Sequence, residues 1–170
     1  CLMLENADQE GGDENIAVRG GIWDMDNLHQ APNPLAVPPA ALKAQTTYVA
    51  STYLGIGMRF VNVRRLAIGG LTFKDPVTFC VQLALVRDFT VDDVTFDFNL
   101  GNPIPGNMDG IHVDGGCRFG RITNLKGTTY DDLVALNADD GIDSPCHGPI
   151  ADIEIDGIFA EGAHSAVRIL

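Results

Sequence analysis

One pattern of apolar residues recurs along this chain and constrains its fold more than any other feature. Apolar side chains stand two positions apart, separated by polar or small residues, in segments that begin at Val63, Val86, Cys117 and Ile150. These starting points are 23, 31 and 33 residues apart, and a fifth copy begins at Asn15. Alternation at period two is typical of strands with one buried face. A repeat with matched internal positions predicts an all-β solenoid, specifically a right-handed parallel β-helix.

Glycine usage and the lack of helical periodicity agree with a coil of strands. The best helical candidate, residues 39–44, is short. The 19 glycines lie mostly where strands should end or bend, as at 20–21, 69–70 and 115–116. A β-sandwich also has many short strands, but it does not readily explain a repeat near 23 residues. The solenoid is therefore the favoured architecture.

The predicted domain organisation is a single β-helix over residues 1–170, with a loop excursion at about 25–57 where the pattern breaks. The chain begins and ends in apolar, strand-like segments. A solenoid needs polar capping repeats to protect its terminal edges. We therefore expect a central fragment of a longer protein.

Charge and composition exclude several classes of partner. The net charge of −12 argues against nucleic acid, and no apolar run is long enough for a membrane span. The four cysteines lack the spacing of a zinc or dithiol site, and buried free thiols are expected rather than disulfides. No cofactor and no metal are predicted, and the oligomeric state stays open.

Three carboxylates carry the strongest functional signal. Asp109 is followed 22 residues later by the pair Asp131 and Asp132. If each turn of the coil lies on the previous one, neighbouring strands are about 4.8 Å apart, and the three side chains form one cluster. Carboxylates held that close cannot all ionise freely, so at least one pKa should rise. Such clusters hydrolyse glycosidic bonds, although Asp-Gly and Asp-Asp pairs also mark ordinary turns.

The same residues resemble the polygalacturonase-like glycoside hydrolases, family 28 among carbohydrate-active enzymes. Asn-Met-Asp-Gly-Ile at 107–111 resembles that family's Asn-Thr-Asp-Gly motif. Residues 131–137 resemble its Gly-Asp-Asp-Cys-Ile-Ala-Ile-Asn strand, and 167–169 resemble its strand ending in Arg-Ile-Lys. The resemblance is sharp from about 107 to 137 and weak elsewhere.

The resemblance implies an enzyme that hydrolyses a pectin-like polysaccharide, of the galacturonan or rhamnogalacturonan type, or a related plant polysaccharide or its oligosaccharides. In that family chemistry Asp131 would be the general acid, while Asp109 and Asp132 would activate water. The reaction would invert the anomeric centre, with acid and base carboxyls roughly 6.5–9.5 Å apart. Arg168 would bind substrate. We expect such an enzyme to be secreted or periplasmic.

Several further residues are candidates for the substrate cleft. The family has a Gly-His-Gly motif that is missing here, and His147 is a candidate to replace its histidine by hydrogen-bonding an aspartate. His112 and His164 are candidates to line the cleft. Asn107 would shape a turn or stack in an asparagine ladder. Leu170 stands where the family has a lysine.

Two other functions stay open. A catalytically inactive carbohydrate-binding module, of the tailspike type, would keep the coil without the chemistry. A polysaccharide lyase or epimerase would use a basic residue and often calcium, and the chain has only three lysines. Convergence of the three aspartates on a groove, with a raised pKa on one of them, would favour the hydrolase.

Overall fold

The computed structural model describes residues 2–34, 55–139 and 147–170. Within them the chain is all-β, with one short 3-10 turn at Asn27–His29. The helical candidate at 39–44 and most of the predicted excursion at about 25–57 lie outside the described residues. No helix in the described part of the chain is long and apolar enough to cross a membrane.

Twelve strands form two sheets in which all described pairings are parallel. The first sheet has the order β1-β4-β6-β8-β10-β12, and the second has the order β2-β5-β7-β9-β11, with β3 also on β5. The strands are β1 (Leu4–Glu5), β2 (Asp13–Arg19), β3 (Ile22–Asp24), β4 (Met58–Val61), β5 (Val63–Lys74), β6 (Val81–Ala84), β7 (Arg87–Asp97), β8 (Ile111–Asp114), β9 (Arg118–Thr128), β10 (Val134–Asn137), β11 (Ala151–Gly162) and β12 (Val167–Ile169).

The repeat copies found in the sequence pair with one another in the second sheet. Leu66 pairs with Phe89, Phe89 with Gly120, and Gly120 with Ile153. Ile16 of the opening copy pairs with Leu66. The matched positions of the pattern are therefore the positions that face each other between strands, as predicted.

Residues in the left-handed conformation interrupt the long strands at two matched rows. The first row consists of Asn15, Arg65, Asp88, Phe119 and Asp152, and the second of Gly20, Gly70, Asp93, Asn124 and Gly157. Glycine adopts this conformation without strain, and Asn and Asp tolerate it better than other residues. The prediction that glycines mark strand bends is thus right for the second row, where three of the five residues are glycine and the other two are Asp93 and Asn124.

The buried apolar cluster draws side chains from both sheets. Phe73 and Phe96, which are register partners in the second sheet, stack with ring centroids 6.0 Å apart. Phe60 and Leu83 of the first sheet belong to the same cluster. Of the four cysteines, Cys80 and Cys117 lie in the described residues, and both are buried free thiols, as predicted.

Candidate active site

Asp109 and Asp132 lie at matching positions before two neighbouring strands, β8 and β10. Ile111 pairs with Val134, and each stands two residues after its aspartate. The backbone N–H of Asp132 donates to Oδ1 of Asp109 at 3.1 Å, so the carboxylate links the residues that precede β8 and β10. This is the placement that the repeat predicts for the two acidic motifs.

The chain enters both strands through a left-handed residue. Asn107 (φ 49°) precedes Asp109 by two residues, and Tyr130 (φ 66°) precedes Asp132 by two. The backbone N–H of Asn107 donates to Oδ2 of Asp131 at 2.7 Å. Asn107 therefore shapes the turn, as expected. The alternative expectation of an asparagine ladder stays a prediction.

The surroundings of Gly110, which follows Asp109, leave no room for a side chain. A Cβ at this position would lie 2.6 Å from the carbonyl oxygen of Leu133 and 3.0 Å from the ring of Phe96. Backbone and aromatic ring cannot both move aside cheaply in a packed core. The glycine of this Asp-Gly pair is thus a packing requirement, set by Leu133 and Phe96.

Burial controls the proton affinity of Asp109. Its side chain is nearly enclosed, and the resulting loss of solvation raises the pKa of Asp109 above its usual value. The hydrogen bond and the charge of His112 oppose that rise, while the negative charges of Asp131 and Asp132 add to it. The expected rise of one pKa is therefore confirmed for Asp109. Its largest cause is burial rather than repulsion between carboxylates.

Asp132 is held by groups from the next strand. Arg168 in β12 donates from Nη1 to Oδ2 of Asp132 at 3.3 Å. Nδ1 of His164 lies 3.9 Å from Oδ1 of the same carboxylate. The backbone N–H of His164 also donates to the carbonyl of Asp131 at 2.9 Å. Two of the predicted cleft residues thus meet at Asp132.

His112 is buried and contacts two carboxylates. Its Nδ1 lies 2.7 Å from Oδ2 of Asp109, and its Nε2 lies 3.4 Å from Oδ1 of Asp114. Nδ2 of Asn137 is also 3.4 Å from Nε2. Phe79 stacks on the imidazole with centroids 3.7 Å apart and an angle of 18° between the rings. The histidine is therefore fixed in orientation at the base of the aspartate cluster.

Sequence reasoning did not find Asp114 and Gln82, which complete this buried set. Nε2 of Gln82 donates to Oδ2 of Asp114 at 2.8 Å. Both side chains are fully buried, whereas their alternation with apolar residues suggests a solvated strand face. Gln82 and His112 pair in register between β6 and β8, but no matched segment of the sequence repeat includes either residue.

A pocket of about 340 Å³ opens over these groups. Its walls include five of the seven predicted site residues, namely Asn107, Asp109, His112, Asp132 and Arg168. Asp131 reaches the site through its contact with the Asn107 backbone. His147 contacts Asp139, another wall residue, at 2.7 Å, and the role predicted for His147 stays a prediction.

One trio in the described part of the chain has ligand atoms close enough to share a cation. Single atoms of Asp131, Asp132 and His164 all lie within 4.8 Å of one another. Adjacency in sequence and strand register account for their proximity. The guanidinium of Arg168 already occupies one side of the Asp132 carboxylate, and we assign no metal to the trio.

No protein-family model, curated protein or solved structure matches this chain. The likeness to polygalacturonase-like hydrolases therefore rests on the motif residues alone, and the function must be argued from the site.

Proposed function

We propose that this chain is a right-handed parallel β-helix that carries a glycoside hydrolase site. Two all-parallel sheets support the architecture, because parallel neighbours need crossover connections rather than hairpins. Here each crossover runs through the other sheet, since strands of the first and second sheets alternate along the chain from β4 to β12. That order supports a coil.

The observation that carries the enzymatic proposal is the contrast between Asp109 and Asp132 in one pocket. Burial raises the pKa of Asp109, which favours its protonated form. Asp132 lies beside it in an ion pair with Arg168 at 3.3 Å. Glycoside hydrolysis needs one carboxyl group that can donate a proton and one carboxylate on the same sugar. A module that only bound carbohydrate would have no need of that contrast.

Two assignments of the proton donor are possible. The resemblance implies Asp131 as the general acid, with Asp109 and Asp132 activating water. The burial of Asp109 favours Asp109 as the donor. Sugars with a good leaving group separate them, because their departing oxygen needs no proton. The variant that lacks the acid should keep activity on such aryl glycosides and lose it on polysaccharide.

We propose a pectin-like polysaccharide, or a related plant galactan, as the substrate, acted on outside the cytoplasm. Arg168 is partly exposed beside the pocket and has five N–H donors, of which only one pairs with Asp132. The remaining donors suit a uronate carboxylate, which arginine can grip through two parallel hydrogen bonds. Inversion of the anomeric centre follows the resemblance, and proton NMR of the first-formed sugar tests it.

The deciding experiment is reducing-sugar release from a panel of pectic and galactan polysaccharides. We expect Asp109→Asn, Asp131→Asn and Asp132→Asn each to lower the rate by about 10²–10⁴-fold. Asp156→Asn, an exposed aspartate of the second sheet, serves as the matched control and should retain full activity. If the folded wild type releases no sugar from any polymer, the carbohydrate-binding module replaces the hydrolase. An unsaturated product that absorbs in the ultraviolet would instead identify a lyase.

A further inference from the structure

Three buried side chains form a continuous chain beneath the pocket. Asp114 is 0% exposed, His112 1% and Asp109 4%. The two ring nitrogens of His112 face different carboxylates, at 2.7 Å for Asp109 and 3.4 Å for Asp114. Asp109 and His112 line the pocket, whereas Asp114 lies behind them. No step of the proposed hydrolysis uses Asp114.

The surroundings of Asp114 leave its charge poorly compensated by neutral groups. Oδ2 accepts one hydrogen bond, from the amide of Gln82. Oδ1 makes no hydrogen bond within the described residues and faces Nε2 of His112. A carboxylate removed from water is costly unless a positive charge or several donors compensate it. The group placed to supply that charge is the imidazole of His112.

A neutral imidazole has a single N–H and can donate to one of the two aspartates, while the doubly protonated ring donates to both. We propose that His112 is held doubly protonated between Asp109 and Asp114. In this arrangement Asp114 is a positioning residue that acts on Asp109 through the imidazolium. The effect on catalysis rests on the proposed function, but the protonation of His112 does not.

The charged groups around the ring favour the cation. On its own strand and the preceding turn these are Asp109 and Asp114. The β6 side contributes the neutral Gln82 and the ring of Phe79, and neither bears a charge. Solvent exclusion opposes a charged histidine, but the Asp114 carboxylate, joined by that of Asp109 whenever Asp109 is ionised, attracts it more strongly in the same low-dielectric environment.

The strands on the other side do not reverse that balance. From the turn before β10, Asp131 and Asp132 add negative charge at Asp109, and from β10 Asn137 contributes an amide whose Nδ2 lies 3.4 Å from Nε2. A protonated Nε2 requires that this amide present its oxygen instead. The positive charge of Arg168, in β12, is paired with Asp132.

Substitution of Asp114 should therefore change the proton affinity of Asp109. Without its second acceptor His112 reverts to the neutral ring, and Asp109 loses a positive neighbour at 2.7 Å. Removal of the more distant negative charge of Asp114 acts in the opposite direction but over a longer path. The nearer change dominates, so Asp109 should hold its proton more tightly in an Asp114→Asn variant.

Nitrogen-15 NMR of the chain labelled at histidine tests the protonation state directly. The resonances of His112 are identified by their loss in His112→Gln. We expect both ring nitrogens of His112 to stay protonated to at least about pH 8, well above the usual histidine pKa of about 6.5. In Asp114→Asn the neutral ring should predominate at pH 7. A wild-type ring that is already neutral near pH 6 would overturn the inference, whether or not the variant folds.

Activity supplies a second and separate reading. In Asp114→Asn, the limb of the pH–rate profile set by Asp109 should move about one unit towards higher pH. Asp152→Asn, an exposed aspartate paired with Arg118, is the control and should leave the profile in place. An unmoved limb in a folded Asp114→Asn variant would contradict the inference. If the wild type hydrolyses nothing, the proposed function fails, and the NMR titration alone decides the state of His112.

Discussion

Arg168 reaches across from β12 to cover Asp132, so that a guanidinium that is 43% exposed shields a carboxylate that is only 2% exposed. The pair spans 36 residues of sequence, but β10, which follows Asp132, pairs with β12, which contains Arg168. Arg168 is solvated and Asp132 is not. Breaking the pair therefore has a different consequence for each side chain. Losing the arginine leaves a buried carboxylate without its cation.

We expect Arg168→Met to lower the free energy of unfolding by about 1–2 kcal/mol, because a hydrogen bond to a charged group is lost and Asp132 stays buried. Urea denaturation measures the change. Arg121→Met is the matched control, since Arg121 and Glu154 are 62% and 60% exposed. That surface pair should contribute less than about 0.5 kcal/mol. Equal losses in the two variants would show that Asp132 does not depend on Arg168.

Asp109 should make the fold less stable as pH rises. Its pKa is raised, chiefly by burial, so the folded state binds this proton more tightly than the unfolded state does. The contribution to stability is full below the unfolded value of about 3.9 and is lost as pH rises through the folded-state pKa. Asp109→Asn removes this titration. Urea unfolding from about pH 4 upward should therefore show a smaller decline in the variant than in the wild type.

Asp92 provides a control of opposite sign. Hydrogen bonds from Thr123, and next from Asn124, lower the pKa of Asp92. Its contribution is present above about pH 3.9 and is lost as pH falls through the folded-state pKa. Asp92→Asn should therefore differ from the wild type in the acid range, with a weaker dependence on pH there. If the pH dependence of stability changed in the same pH range and direction in Asp109→Asn and Asp92→Asn, neither aspartate would titrate as assigned.

Substitution of Gly110 should damage the site through packing. A Cβ at this position would lie 2.6 Å from the carbonyl oxygen of Leu133. We therefore expect Gly110→Ala to lower the free energy of unfolding, measured by heat or urea, by about 1–3 kcal/mol. Gly70→Asn is the control. Gly70 is left-handed with no atom within 4 Å of a built Cβ, and Asn124 adopts the same conformation in its row. Gly70→Asn should lower the free energy of unfolding by less than about 1 kcal/mol. A larger loss in Gly70→Asn than in Gly110→Ala would refute the packing explanation.

Cys80 should be inert in the folded protein. Burial raises the pKa of its thiol well above the usual value, and Cys117 is equally enclosed. Since the thiolate is the reactive form, both cysteines should be alkylated only after the protein unfolds. Iodoacetamide labelling with peptide mapping by mass spectrometry measures this, with labelling in urea as the reference. Rapid modification of Cys80 under native conditions would contradict its place in the core.

Strand positions were predictable from the sequence because burial on one face imposes alternation. Val63, Val86, Cys117 and Ile150 open segments whose matched residues do pair, even though the spacing varies from 23 to 33 residues. Asp109 could be aligned with the Asp131-Asp132 pair for the same reason. The choice between the two members needed the register, which places Asp132 rather than Asp131 opposite Asp109.

The buried polar set could not be predicted in the same way. His112 and Asp114 alternate with Ile111 and Val113, and so they have the pattern of an outward, solvated face. Their burial depends on side chains distant in sequence, among them Phe79, which stacks on His112. Alternation tells which face of a strand a residue occupies but does not tell what covers that face. The main cause of the raised pKa of Asp109 was missed for this reason.

Connections of different length join strands that keep the same register. Val81 pairs with Ile111 and Ile111 with Val134, offsets of 30 and 23 residues, yet both pairings are in register. The extra length lies outside the strands, largely at residues 98–110. The segment 98–106 stops before Asn107, and Phe98 and Asn99 tie its beginning to the core and to Asn27. A change of connection length between strands therefore leaves intact the register of the strands that follow the two aspartates.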